Sequence, residues 1–396
     1  MQINNVKILL LLSLLSAFPP LSTDMYLPAL PLLQETWNES LATINLTLAG
    51  FFIGYCCSLL VYGPLSDNYG RRPPLLAGIG VYIIASLICG MTGSAVSLIV
   101  FRILQGIGAA AASVLAMAIS KDLYQGNERQ KVLAYMAVIM SLAPMLAPIF
   151  GGWIMAWLSW QWVFFIQALI GLFAWGGVFF LEEPLKEPSK GTLGKALTMY
   201  FELMHNRKYL VLILLFSLIV LPHFSFIGSA ANIYITRFHL SEQVFGYFFA
   251  FNALSIMSGS FLCSKIIKFV EPQKLLALSF AGIMVSGVIM YASIFPGPWG
   301  LAIPMALASF SFGLSRPPSN HIVLEQVDQG VGAASSLMIF LYFTMGAFAM
   351  WFISIGWADQ IRALAVFAMV SGGCVLATWL LLPGLHSAQP DAAGDR

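Results

Sequence analysis

An aspartate stands alone in Ser22-Thr23-Asp24-Met25-Tyr26-Leu27-Pro28-Ala29-Leu30-Pro31, near the end of the chain's first apolar stretch. An ionisable group inside such a stretch is costly, and the chemistry it offers is proton uptake and release or substrate contact. The other reading is a helix cap at the outer interface, although true polarity begins only at Gln34 and Glu35. Three more ionisable groups lie in apolar runs: Arg102, His223 and Arg316. Arg102 can pair with a carboxylate or snorkel to the outer interface. Arg316, in Gly313-Leu314-Ser315-Arg316-Pro317-Pro318-Ser319-Asn320, can attract an anionic or carbonyl-bearing substrate or snorkel inward. His223 follows Pro222, whose ring can kink a helix, and reads either as a mid-membrane titratable group or as a satisfied core histidine. With His223, Arg316 and Asn320, the residues Tyr26, Gln105, Met140 and Phe226 are the candidates for lining a broad substrate pocket. Each aromatic or methionine taken singly also reads as core or lipid-facing.

These residues sit in a chain that is 59% hydrophobic and 9% charged, against about 25% charged in soluble domains. Mean hydropathy is +0.85 over 396 residues. Spans of ~20 residues with short loops fill that length with about twelve helices. The expected spans are 8–33, 42–62, 75–92, 96–120, 132–157, 161–181, 209–235, 242–264, 274–295, 299–324, 331–356 and 361–384. The runs are too long and too continuously apolar for β-barrel strands. The fold class is therefore all-α membrane protein, and the first run is read as a retained helix, since no small-x-small cleavage site follows it.

Charge sets the orientation. With cytoplasmic termini, fifteen of the nineteen Lys and Arg residues fall on the inner side and only Arg237 and Arg362 outside, leaving Arg102 and Arg316 within spans. That asymmetry predicts both termini inside. The long polar segment 182–208 then divides a six-helix bundle at 1–181 from a second at 209–384, with a cytoplasmic tail at 385–396. Within the linker, 192–204 reads as an amphipathic surface helix or as a plain tether. A parallel repeat of this kind places substrate near mid-membrane.

Much is excluded. The five cysteines (Cys56, Cys57, Cys89, Cys263, Cys374) all lie in spans without ligand spacing and read as packing residues; no metal site and no cofactor is expected. The net charge of +2 carries no signal for nucleic acid. No clustered His/Asp or Ser/Lys pair marks a membrane enzyme, and no filter motif marks a channel. A scaffold role remains the other non-transport reading.

Depth links two of the groups. At 1.5 Å per residue Asp24 lies ~24 Å from the inner end of its span, hence ~6 Å below the outer surface of a ~30 Å core. Arg102, about six residues into the fourth span, lies ~9 Å below it, so the two are expected to pair. Arg316 lies ~25 Å from the outer end of the tenth span, on the cytoplasmic side.

Between the second and third spans runs Gly63-Pro64-Leu65-Ser66-Asp67-Asn68-Tyr69-Gly70-Arg71-Arg72-Pro73, expected to be a tight turn with Asp67 at a helix N-terminus and Arg71 four residues on. It resembles the signature loop of the major facilitator superfamily, with Asn68 where a basic residue is usual. Arg102-Ile103-Leu104-Gln105-Gly106-Ile107-Gly108-Ala109 resembles the fourth-helix motif of that superfamily's drug:proton antiporters. Ala143-Pro144-Met145-Leu146-Ala147-Pro148-Ile149-Phe150-Gly151-Gly152 resembles their fifth-helix antiporter motif, with Ala147 replacing a common glycine. The stretch around Asp24 resembles the first helix of the bicyclomycin/chloramphenicol-resistance (Bcr/CflA) type.

The resemblance implies the two-bundle major facilitator fold. It implies a cytoplasmic latch of Gly63, Asp67, Gly70, Arg71 and Asp122 that holds one state and breaks as the halves rock, Asp67 also facing the start of the eleventh span. Pro144, Pro148, Gly151 and Gly152 would form the antiporter motif, and Asp24 and Arg102 would couple transport to protons. The expected protein exports small, mostly apolar drugs or metabolites against protons across a bacterial inner membrane, as a monomer. A proton-coupled importer or metabolite exporter of the same fold is the rival.

Overall fold

The first apolar run carries Pro19, Pro20, Pro28 and Pro31, and proline withholds an N–H and clashes with the carbonyl four residues back. In the structure, a computed structural model that describes residues 3–185, 193–327 and 330–382, this run is broken accordingly. It forms α1 (Ile3–Ser16), α2 (Phe18–Asp24), a turn of 3₁₀ helix (Leu27–Ala29) and α3 (Leu30–Trp37). The axis bends by 44° between Val6–Ser16 and Phe18–Trp37. Next come α4 (Leu41–Tyr69), α5 (Arg72–Met91), α6 (Ala95–Leu123), α7 (Gly126–Trp157) and α8 (Gln161–Phe179). Ser40 and Ser94 start α4 and α6 by accepting the amides of Thr43 and Ser97, which supplies partners for N–H groups a helix leaves free.

The second part begins with α9 (Leu193–His205), so the expected linker does contain a helix; of the linker, residues 186–192 lie outside the described residues, as does the tail 385–396. Then follow α10 (Arg207–Leu218), α11 (Val220–Ala231) and a π-helical turn (Asn232–Arg237). The last helices are α12 (Glu242–Ile266), α13 (Pro272–Tyr291), α14 (Trp299–Leu324), α15 (Val331–Ile353) and α16 (Gln360–Leu381).

Ten described stretches are long and apolar enough to cross a membrane, one of them being Arg207–Arg237 taken whole, and the bent first span makes eleven. The twelfth expected span is α14, a 26-residue helix whose apolar character is diluted by Arg316 and by Pro304, Pro317 and Pro318. The signature stretch differs from expectation. The α4 helix runs straight through Gly63 and Pro64 to Tyr69, so Asp67 stands in the last turn of one helix rather than at the start of another. The chain reverses only at Gly70, whose φ of +88° is a conformation that side chains resist.

Backbone contacts divide the chain into two units, Met1–Ala196 with Ala230–Ala250, and Leu197–Ser229 with Phe251–Arg396. In the first, α4 and α6 touch backbone to backbone: a Cβ at Gly54 would lie 2.2 Å from the Ile103 carbonyl oxygen, and one at Gly106 would lie 2.1 Å from that of Phe51. The second unit repeats this between α12 and α14, where a Cβ at Gly259 would lie 2.0 Å from the Phe310 oxygen and one at Gly313 would lie 2.1 Å from the Ile256 oxygen. In all four cases the carbonyl belongs to the residue three before the partner glycine. Only glycine permits an approach this close, and small residues are how membrane helices gain packing energy.

Candidate functional site

The α6 contact with α4 carries Arg102 into the interior of the first unit, where it is wholly buried. Its Nη1 donates to the Ser22 carbonyl oxygen at 2.9 Å and to Gln105 Oε1 at 2.6 Å, and its Nε to the Thr47 carbonyl oxygen at 3.4 Å. The guanidinium lies 4.6 Å from the centre of the Phe51 ring and 5.2 Å from that of Tyr26. Cation–π attraction strengthens when water is excluded. Arg102 therefore does not snorkel.

Gln105 extends the network. Its Nε2 donates to Ser86 Oγ and to Gln167 Oε1, both at 2.8 Å. Gln167 Nε2 in turn donates to the Leu21 and Ser22 carbonyl oxygens at 3.2 and 3.4 Å. Ser22 Oγ donates to the Phe18 carbonyl oxygen, so at 2.7 Å the Tyr82 hydroxyl is its donor. Those two carbonyls belong to α2, which proline has freed from regular helical pairing on either side. Gln105 and Tyr26, expected against substrate, are both fully enclosed: the Gln105 amide is taken up as above, and the Tyr26 hydroxyl meets Thr47 Oγ1 at 3.1 Å.

Asp24 ends α2 and is 7% exposed. It accepts from Thr23 Oγ1 at 2.8 Å and makes no ion pair among the described residues. The expected Asp24–Arg102 pair is thus absent, because the guanidinium is drawn to carbonyl oxygens two residues earlier. Nor does Asp24 cap a helix: the 3₁₀ turn and α3 start from Tyr26 and Ala29. The α7 motif abuts this point, since a Cβ at Gly151 would lie 2.2 Å from the Met25 carbonyl oxygen. Gly152 faces the other way, toward the Glu242 carbonyl that opens α12, and Pro144 and Pro148 lie inside the helix. Met140, on the same helix, is exposed.

Where α4 meets α5, Arg71 gathers its partners. Nε donates to Asp122 Oδ2 at 2.7 Å, and Nη1 to Asp67 Oδ1 at 2.5 Å and to Ser66 Oγ at 2.7 Å. Burial opposes the Arg71 charge, but the bonds to Asp122 and Asp67 outweigh it and hold its pKa above the ordinary guanidinium range. Glu183 completes the cluster: its carboxylate accepts the Arg71 amide at 2.7 Å and the Arg72 amide at 3.0 Å, at the N-terminus of α5. Beside it the Arg72 guanidinium bonds the Phe179 carbonyl. The α4 turn at Gly70 leaves no room for a side chain against Glu183, while Gly63 has open space around it.

In the second unit, His223 stacks on Phe312 with ring centres 5.1 Å apart. Arg316 lies over the same Phe312 at 5.5 Å and over Tyr342 at 4.3 Å. Buried atoms without a hydrogen-bond partner cluster here: His223 Nδ1, Ser309 Oγ, Arg316 Nη1, Asn320 Oδ1 and the Tyr342 hydroxyl. Phe226 is buried in the core.

Residues 12–350 match the family model described as Major Facilitator Superfamily. The chain belongs to the Major Facilitator Superfamily. It is 31% identical over 348 residues to a bicyclomycin resistance protein homolog of Haemophilus influenzae, covering 86% of each chain. It is 29% identical to an uncharacterized MFS-type transporter of Bacillus subtilis, over 85% of this chain and 86% of that one. A chloramphenicol resistance protein of Pseudomonas aeruginosa is 37% identical over 164 residues, 41% of this chain and 38% of that one. Among solved structures, a bacterial homolog of the lysosomal transporter Spinster, inward-facing and occupied, superposes with a TM-score of 0.80 at 14% identity, over 99% and 100% of the two chains. A D-xylose-proton symporter gives 0.74 at 15% identity, over 98% and 99%. The superfamily is one of transporters, and the fold is theirs.

Within that fold, sequence reasoning overlooked Gln167 and Glu183. Gln167 is a lone amide in the apolar run of α8, the same kind of signal that singled out Asp24. Glu183 gave no such signal, because a carboxylate among the charges of a polar linker is ordinary.

Proposed function

We propose that this protein is a proton-coupled antiporter that exports small, mostly apolar drugs or metabolites across a bacterial inner membrane by alternating access. One observation carries the reading: Asp24 is the only acidic side chain buried among the described residues, and it has no cation bonded to it. Such a carboxylate in a membrane span is suited to binding a proton on one side and releasing it on the other. Its position at the end of α2, with Gly151 of the antiporter-like motif against the next residue, lets helix movement change its surroundings. Arg102 serves in this scheme by holding the broken first span at Ser22, two residues from the proton carrier. The Arg71 cluster serves as the cytoplasmic latch, in a chain with both termini inside. The drug-resistance names of the relatives favour export of drug-like molecules.

The test is purified protein in liposomes of known internal pH. An antiporter moves protons out of the opposite compartment onto the side to which drug is added; an importer of the same fold carries proton and solute in the same direction, and a scaffold moves neither.

A further inference from the structure

Two arginines lie within the membrane-spanning helices, and their surroundings are opposite. Arg102 donates through Nη1 and Nε to carbonyl and amide oxygens of the protein itself, leaving only its Nη2 without a partner. Arg316 has aromatic faces, no ion pair among the described residues, and a buried Nη1 with nothing to donate to. Arg316 is half-buried, and enclosing its Nη1 edge beside a tyrosine that is 3% exposed, with no carboxylate or carbonyl bonded to it, is costly unless the acceptor arrives from outside.

The surroundings specify that acceptor. Ser309, Phe312, Arg316 and Asn320 are spaced three and four residues apart along α14 and so share one face. Across from them stand His223 of α11, stacked on Phe312, and Tyr342 of α15 beneath the guanidinium. A narrow cleft lined by Pro222, His223, Met305, Ser309 and Phe312 adjoins the ring. Unpartnered polar atoms lie on His223 and Ser309, which line the cleft, on Asn320 one helical turn from the cation, and on Tyr342 beneath it. None of these groups is a carboxylate, so the cluster has a net positive character and spare donors. A planar guanidinium fork held flat by aromatic faces presents its N–H edge, which matches a carboxylate better than any other common group.

We propose that Arg316, with Tyr342 beneath it and His223 across Phe312, is a recognition site for a carboxylate carried on an otherwise apolar, ring-bearing substrate. The inference rests on the export reading and narrows its cargo from apolar drugs in general to amphiphilic monocarboxylates. The face of Phe312 takes the ring, and Arg316 takes the anion.

The test is equilibrium binding by calorimetry to the detergent-purified full chain at neutral pH, with two matched pairs of probes. These are 1-naphthoate against 1-naphthamide, and nalidixate against its amide. A hydrogen-bonded charge pair in a dry site gives the acids a preference of at least about tenfold over the amides. Arg316→Gln removes that preference, and Arg316→Lys keeps part of it. If the acids bind wild-type protein no better than the amides, or if Arg316→Gln retains the preference, the proposal is overturned. The wild-type comparison needs no variant to fold. Binding at equilibrium needs no proton gradient, so Asp24→Asn retains the acid preference. Absence of proton-driven transport by the wild-type protein with the preference intact rejects the export reading alone, and absence of the preference with wild-type transport intact rejects the carboxylate site alone.

Discussion

Arg102 donates to the Ser22 carbonyl oxygen at 2.9 Å, so the fourth membrane-spanning helix holds the first by its backbone and not by its carboxylate. Asp24, two residues on, is left with only the Thr23 hydroxyl, and the same arrangement that immobilises one end of the α2 segment leaves its acid unpaired. Charge–carbonyl bonds in a water-free interior are strong because the alternative is an unsatisfied donor. In the proposed scheme the arginine is therefore a positioning group for Asp24, bonded to the backbone of Ser22 and not to the acid itself.

Arg102→Ala empties a large buried volume and strips partners from Gln105 and two carbonyls. We expect a loss of about 2–5 kcal/mol of stability, read as a lower melting temperature in detergent. Arg102→Lys should fall between, since one charge replaces a planar fork. An unchanged melting temperature for the alanine variant would show that the network is not structural.

Asp24→Asn should abolish uphill transport while leaving expression, melting temperature and drug binding as in wild type. The amide is nearly isosteric and still accepts from Thr23, but it has no proton to release. Uphill drug accumulation by the asparagine variant would remove Asp24 from the coupling mechanism.

The Arg71 cluster calls for a different signature. Asp67→Asn and Glu183→Gln should slow turnover by about tenfold, or 1.4 kcal/mol on the barrier, with drug affinity unchanged. Asp122→Asn should slow it further, because its side chain is 15% exposed against 49% for Asp67 and water screens it less. Weakened drug binding at an unchanged rate would contradict a latch.

Gly106→Val and Gly313→Val each force a side chain into a carbonyl oxygen of the facing helix. Overpacking of this kind costs about 1–3 kcal/mol or more. Gly80→Val is the control, since nothing lies within 4 Å of the position a Cβ would take there. Equal melting temperatures for all three would refute the reciprocal glycine contact.

The break in the first span, expected as one helix over 8–33, was not legible in the chain alone, whereas the number and place of most spans and the unusual standing of Asp24, Arg102 and Arg316 were. These are local properties: hydropathy is decided within some ~20 consecutive residues, and a charge in an apolar run is conspicuous without knowing its neighbours. The family resemblance of the signature stretch implied Asp67, Arg71 and Asp122 as companions, and the structure joins all three through one guanidinium. Partner choice was the part that tertiary structure decided. Depth alone put Asp24 and Arg102 at one level, but their pairing depends on helix rotation and register, which the backbone contacts of Gly54 and Gly106 set to within a residue. That register turns Arg102 toward Ser22 and Gln105, brings Gln167 in from α8, and folds Glu183 back onto the start of α5. In the second unit the corresponding contact of Gly259 and Gly313 turns Arg316 onto Tyr342 with its Nη1 unpartnered. Two arginines that look alike in the chain thus acquire opposite surroundings, because the oxygen atoms that meet them lie on residues far away in sequence and only the packing of whole helices brings those atoms within hydrogen-bonding distance.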